Sequence, residues 1–139
     1  MSKPPMTVTL EWDHALEFTA EAGKHEVGMD GASYTAPSPM QMLALSLAGC
    51  MAIDVVHILT KGRHTIAALS ATFTGERTPE EPHRFVKIDL RFALSTSAPP
   101  DQVERALDLS RNIYCSVWNS LRQDIEFTVS YDLTPATQG

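Results

Sequence analysis

SPMQMLALSLAGCMAIDVVHILTKG, residues Ser38 to Gly62, is the longest apolar run in the 139-residue sequence and holds one of its two cysteines. Both ends carry helix signals. Ser38 stands as N-cap, Pro39 at the first helical position and Gln41 three residues after the cap, which is the pattern of a capping box. Lys61 and Gly62 supply the exit. Between Met40 and Leu59 the only polar side chains are Gln41, Ser46, Asp54 and His57, so the helix is apolar almost all round and needs cover on every side. Lipid is not the expected cover, because Asp54 and His57 occupy the C-terminal half, no basic flank precedes the run, and nothing else in the chain resembles a membrane span.

Protein must therefore enclose it. A helix of about 24 residues is about 36 Å long, and a chain of this size builds one core that buries roughly two thirds of its unfolded surface. A second copy supplies the missing cover, so a homodimer is expected. The net charge of −6 argues against a nucleic-acid or anionic-membrane partner, since no run of Lys and Arg offers the electrostatic footprint. The segment Met1 to Pro5 has no apolar core and does not read as a signal peptide. Two cysteines without an export signal point to the reducing cytoplasm, where lasting structural disulfides are uncommon and thiol chemistry is available.

Along the chain, Val8, Leu10 and Trp12 alternate with polar neighbours as in a half-buried strand, and Asp13 and His14 turn it. A second alternating run follows at Leu16, Phe18 and Ala20; Gly23 marks a turn before a third strand at His25 to Met29. Beyond Gly62, Leu69 to Phe73 and Val86 to Leu94 read as a hairpin, its link from Glu76 to Arg84 a mobile charged loop. Pro99 and Pro100 open a second helix in which Val103, Leu107, Ser110, Tyr114, Val117 and Leu121 recur at intervals of three and four. Ile125 to Leu133 alternate in a last strand. The order is βββ-α-ββ-α-β, an α+β fold in a single domain spanning 1–139, with disordered tails at 1–5 and 135–139.

Cys50, Asp54 and His57 sit at i, i+4 and i+7, so a thiol, a carboxylate and an imidazole share one face of the central helix. The spacing alone leaves several readings open. Cys50 can be a small core residue while Asp54 and His57 satisfy each other. A metal site could draw on Cys50, His57 and Cys115, but no C-x-x-C or H-x-x-x-H pair is present and no metal or other cofactor is expected. The methionines, Tyr114 and Trp118 read as packing groups.

SPMQMLALSLAGCMAIDVVHILTKGR, followed much later by DLSRNIYCSVWNSL, resembles the OsmC/Ohr family, and most of all its YhfA-like branch. The likeness spans about Met6 to Leu133 and takes in the order of strands and helices. It implies an intertwined homodimer in which two central helices are wrapped by antiparallel sheets, with sites at the subunit interface. It further implies a thiol peroxidase acting on organic hydroperoxides, in which Cys50 is the peroxidatic residue and Cys115 the resolving one. A Cys50 thiolate would attack the peroxide, become a sulfenic acid and condense with Cys115 to a disulfide that a dithiol reductant opens.

Peroxidase members of that family carry an arginine in the N-terminal strands and a glutamate at the start of the central helix. Here Met40 and Gln41 occupy the helix start and the first arginine is Arg63. Lys24 and His25 are the cations nearest the expected arginine position, with Gln41, Asp54 and His57 as further supporting residues. The alternative function is a dimer that binds a small apolar ligand or an electrophile around Cys50 without turnover.

Overall fold

The computed structural model describes residues 3–136. Of the expected tails 1–5 and 135–139, residues 1–2 and 137–139 lie outside the described residues, and Lys3 to Thr7 form no regular element. The chain runs β1 (Val8–His14), β2 (Glu17–Ala22), β3 (His25–Asp30), α1 (Pro39–Lys61), β4 (Ile66–Arg77), β5 (Phe85–Thr96), α2 (Pro100–Leu109) and β6 (Glu126–Pro135). This is the α+β order read from the sequence. Two compact units share it: one ends at Leu43 and the other begins at Ala44, so α1 starts in the first and runs through the second.

In the first unit β1, β2 and β3 form an antiparallel meander. Gly23 makes the β2–β3 turn at φ +62°, a left-handed position that costs glycine nothing. At the end of β3 the buried Asp30 organises the approach to the helix. Its carboxylate accepts the backbone N–H groups of Ala32, Tyr34 and Thr35 and the Thr35 hydroxyl. The amides of Thr35 and Ala32 hold its pKa below the usual carboxylate range against the opposing effect of burial. The capping box then closes: Ser38 N–H donates to Gln41 Oε1 at 2.9 Å, and Gln41 N–H donates to Ser38 Oγ at 3.2 Å.

In the second unit β4, β5 and β6 form one sheet with β5 at its centre. Alternation along β5 buries Ile88, Leu90, Phe92, Leu94 and Thr96. Partners on both sides keep the register, Leu69 and Leu133 opposite Leu94, Phe73 and Val129 opposite Leu90. Burying the β5 row with Leu47, Met51, Val55 and Leu59 of α1 and Val103, Ala106 and Leu107 of α2 makes a single apolar cluster. On α1 those four residues form one stripe. Leu45, Ile53 and Val56 remain exposed.

Four expectations need correction. The second sheet is mixed, not antiparallel, because β6 pairs with β5 in parallel; a parallel neighbour requires a long crossover, which α2 and the turns after it provide. The β4–β5 link is braced, not loose: Thr78 N–H donates to Arg84 O, Arg77 Nε to His83 O and His83 N–H to Glu80 O. The second helix ends at Leu109, giving way to a π turn at Ser110–Tyr114 and a 3-10 turn at Trp118–Ser120. Of the C-terminal tail, Pro135 completes β6 opposite Thr96, and Ala136 N–H donates to Thr96 O.

Candidate functional site

The break in the second helix positions the thiol pair. At the end of the widened turn Cys115 N–H donates to Ser110 O at 2.7 Å, a five-residue closure. Cys115 itself then leaves helical geometry at φ −71°, ψ 101°. The Cys115 carbonyl accepts both the Asn119 N–H at 3.0 Å and Asn119 Nδ2 at 2.8 Å, and Nδ2 also reaches Arg111 O at 3.2 Å. Trp118 anchors the far side, buried against Phe127 with ring centroids 4.3 Å apart, while the Arg111 guanidinium stands 4.9 Å over the same ring. The result is a tight connection in which the backbone N–H groups of Ser116, Val117 and Trp118 act on the two sulfurs.

Cys50 is half-buried and Cys115 fully buried, and both are free thiols. Ser116 Oγ lies 3.8 Å from Cys50 Sγ. Burial alone pushes the Cys50 thiol up, but the Val117 amide, the Cys115 thiol and the hydroxyl and amide of Ser116 outweigh it and draw the net value below that of an ordinary thiol. Burial pushes the Cys115 thiol up to about 11; the Trp118 amide, which donates to its sulfur at 3.4 Å, works against this, while the neighbouring Cys50 adds to the rise. Of the two sulfurs Cys50 is therefore the one that ionises first, while Cys115 keeps its proton.

A thiolate accepting several donors beside a buried neutral thiol can act as a nucleophile with a second sulfur in reach. Residues 28–130 match the family model described as OsmC-like protein. The chain belongs to the OsmC-like family. Across 134 residues it is 40% identical to Protein YhfA of Escherichia coli K12, covering 94% of this chain and all of that protein. Among solved structures, a hypothetical protein from Aquifex aeolicus superposes with a TM-score of 0.89 at 22% identity, over 97% of this chain and all of that one. An organic hydroperoxide resistance protein from Elizabethkingia anophelis superposes with a TM-score of 0.69 at 11% identity, over 96% of this chain and 99% of its own; at those identities the likeness is one of fold.

The remaining residues singled out in the sequence occupy other places in this OsmC-like chain. Gln41 caps α1 and also accepts the Ser33 hydroxyl at 2.7 Å. Lys24 and His25 lie at the β2–β3 turn of the first unit, both exposed. Asp54 accepts the Ser110 hydroxyl at 2.7 Å, so its bonded partner is Ser110 and not His57. His57 is exposed and lines a cavity between the C-terminal half of α1 and α2; neither cysteine lines it. Among the described residues no three His, Cys, Asp or Glu side chains gather closely enough to hold a metal ion.

The sequence reading placed Ser110 and Val117 only in the helical repeat, with no part in the site, and gave Ser116 no role. A backbone N–H has no residue signature, so Val117 could not have been found. Ser116, adjacent to Cys115, could have been.

Proposed function

We propose that this protein is a thiol peroxidase that reduces organic hydroperoxides through Cys50 and Cys115 at the expense of a dithiol. The reading is carried by the gathering of donors round the two free sulfurs, Ser116 Oγ 3.8 Å from Cys50 Sγ and the Trp118 N–H 3.4 Å from Cys115 Sγ, which goes with a Cys50 pKa below and a Cys115 pKa above that of an ordinary thiol. Donors from the Cys115–Trp118 connection take over the part that an arginine and a glutamate play in peroxidase relatives. That allows a reactive thiolate without either residue, and it leaves Gln41 as a cap and Lys24 and His25 without a required role.

In the proposed reaction the Cys50 thiolate attacks the distal oxygen of the hydroperoxide. An S–O bond forms, the O–O bond breaks, and the departing alkoxide takes a proton to leave as the alcohol. Sulfur is oxidised by two electrons to the sulfenic acid. The Cys115 sulfur then attacks the Cys50 sulfur, an S–S bond forms, and hydroxide leaves as water with the Cys115 proton. A dithiol such as dithiothreitol returns both cysteines to thiols by exchange and becomes the cyclic disulfide. A reducing compartment such as the cytoplasm supplies that reductant.

The working unit is a homodimer. Leu45, Ile53 and Val56 are 64%, 70% and 40% exposed along one stripe of α1. Gly49 lies in the same stripe with open space where a Cβ would be. A mid-helix glycine costs about 1 kcal/mol against alanine, and it suits a position where a partner backbone approaches closely.

The test is consumption of cumene hydroperoxide under dithiothreitol. With the dithiol the native protein turns over repeatedly and Cys50→Ser does not react; without it, one equivalent converts the native protein to the Cys50–Cys115 disulfide and leaves Cys115→Ser as a trappable sulfenic acid. Stoichiometric reaction without turnover in the native protein would replace the peroxidase with an electrophile-binding protein.

A further inference from the structure

The cavity between the C-terminal half of α1 and α2 has no part in the thiol chemistry. It measures about 620 Å³, within the range of roughly 300–1,000 Å³ that small-molecule sites occupy. Its lining mixes apolar, polar and charged groups. Ile58, Leu59 and Leu109 are apolar, whereas Lys61 and Arg105 bring full positive charge.

Two features point to an anionic ligand. Among the described residues neither Lys61 nor Arg105 takes part in an ion pair, although the protein carries a net charge of −6 and carboxylates are plentiful. Arg105 also lines an adjoining recess with Asp101, Glu104 and Asp108 and is paired with none of them. The carboxylate in the main cavity, Asp54, is engaged by the Ser110 hydroxyl at 2.7 Å. It precedes Lys61 by about 10 Å of helix at 1.5 Å per residue, which leaves the Lys61 end of the cavity electropositive.

We infer that this cavity binds a small organic carboxylate, its anionic head met by Lys61 and Arg105 and its apolar body resting on Ile58, Leu59 and Leu109. A guanidinium presents a planar fork that matches a carboxylate with two parallel hydrogen bonds, and an ammonium adds a compact charge. The apolar residues reward a ligand with a hydrocarbon body over a bare inorganic anion. The site stands on its own residues, whether or not Cys50 reduces a peroxide.

Isothermal titration of hexanoate into the full-length protein tests it, in native and Cys50→Ser forms. Hexanoate binds saturably, one per chain, and equally well to both forms, so binding is separable from any failure of the peroxidase. Inorganic phosphate and 1-hexanol each bind at least about tenfold more weakly, since each lacks one half of the recognition. Lys61→Gln and Arg105→Gln each lower hexanoate affinity by about tenfold. Both side chains are exposed, so neither substitution threatens the core. Lys87→Gln, which removes the same charge from exposed β5, changes affinity less than about twofold. Equal binding of hexanol, equal binding of phosphate, an equal effect of Lys87→Gln, or no saturable heat would each overturn the inference.

Discussion

Ser110 Oγ donates to Asp54 Oδ2 at 2.7 Å, joining the middle of the long helix to the point where the second helix widens into a π turn. Ser110 is fully buried, and its carbonyl is also the acceptor for Cys115 N–H. One residue thus fixes the helix end from two directions, through its side chain to α1 and through its carbonyl to the Cys115 amide.

Ser110→Ala removes the first of these ties and leaves the half-buried carboxylate one partner short. The expected loss of stability is about 1–3 kcal/mol, read as a lower denaturation midpoint in urea with an unchanged slope. Because the turn that presents Ser116 and Val117 starts at this residue, iodoacetamide should also alkylate Cys50 more slowly at neutral pH. A stability loss with native alkylation kinetics would confine Ser110 to a packing role.

The two thiols make opposite demands on pH. Cys50 has a folded-state pKa below its ordinary value of 9.0, so the native state holds fewer protons than the unfolded chain between that lowered value and 9.0. Its contribution is present above the unfolded pKa and is lost as pH falls through the folded one. Cys115 is raised from 9.0 to about 11, so the native state retains a proton that the unfolded chain has released. Its contribution is present below 9.0 and is lost as pH rises from 9.0 to about 11. Comparing urea midpoints of the native protein with Cys50→Ser and Cys115→Ser from pH 6 to 11 should therefore give differences of opposite slope. Alkylation followed by peptide mapping should label Cys50 first. Labelling of Cys115 at the lower pH would reverse the assignment of nucleophile and resolving residue.

The central helix and the sheet were legible for physical reasons that act locally. Ser38, Pro39 and Gln41 satisfy one another without help from the rest of the chain, and β5 keeps strict alternation because one of its faces is buried. The break at Cys115 was not legible. Leu107, Ser110, Tyr114, Val117 and Leu121 mimic a continuous helix, whereas the actual path depends on a tertiary bond from Ser110 to Asp54 and on Asn119 capping the Cys115 carbonyl. The parallel pairing of β6 did have a signal, since a long helical connection between two strands is what a parallel crossover needs. Asp54 and His57 share a helix face by spacing, yet spacing does not say which neighbour each meets, and Ser110 came from a segment 56 residues away.

Gly75 tests the packing of the sheet at a site remote in sequence from the thiols. It sits opposite Ile88 in β5, and a Cβ there would lie 2.5 Å from the Phe85 ring and 2.8 Å from the Phe73 ring. Those rings meet edge to face at 5.3 Å, so neither can withdraw without disturbing the other. Gly75→Ala should cost about 1–3 kcal/mol through overpacking, seen in chemical denaturation, with Cys50 alkylation unaltered at a temperature where the variant is folded. A neutral or stabilising effect would mean that the aromatic pair is free to shift.

The stripe Leu45, Gly49, Ile53 and Val56 decides the proposed assembly. Its apolar members are more exposed than a lone core helix should leave them, and the buried stripe of the same helix is already complete with Leu47, Met51, Val55 and Leu59. A dimer through this face predicts a sedimenting mass of twice 15.3 kDa at micromolar concentration. Obligate interfaces of this kind bury more than about 2,000 Å² and are apolar at their centre. Ile53→Glu places a carboxylate there, and the two copies would bring like charges into an apolar contact with no partner, so the variant should sediment as a monomer or lose solubility. Gly49→Leu should weaken association through bulk alone, which separates close approach from charge. A native protein that sediments at 15.3 kDa under these conditions would remove the dimer and with it any site that depends on two chains, while leaving the Cys50–Cys115 geometry within one chain intact.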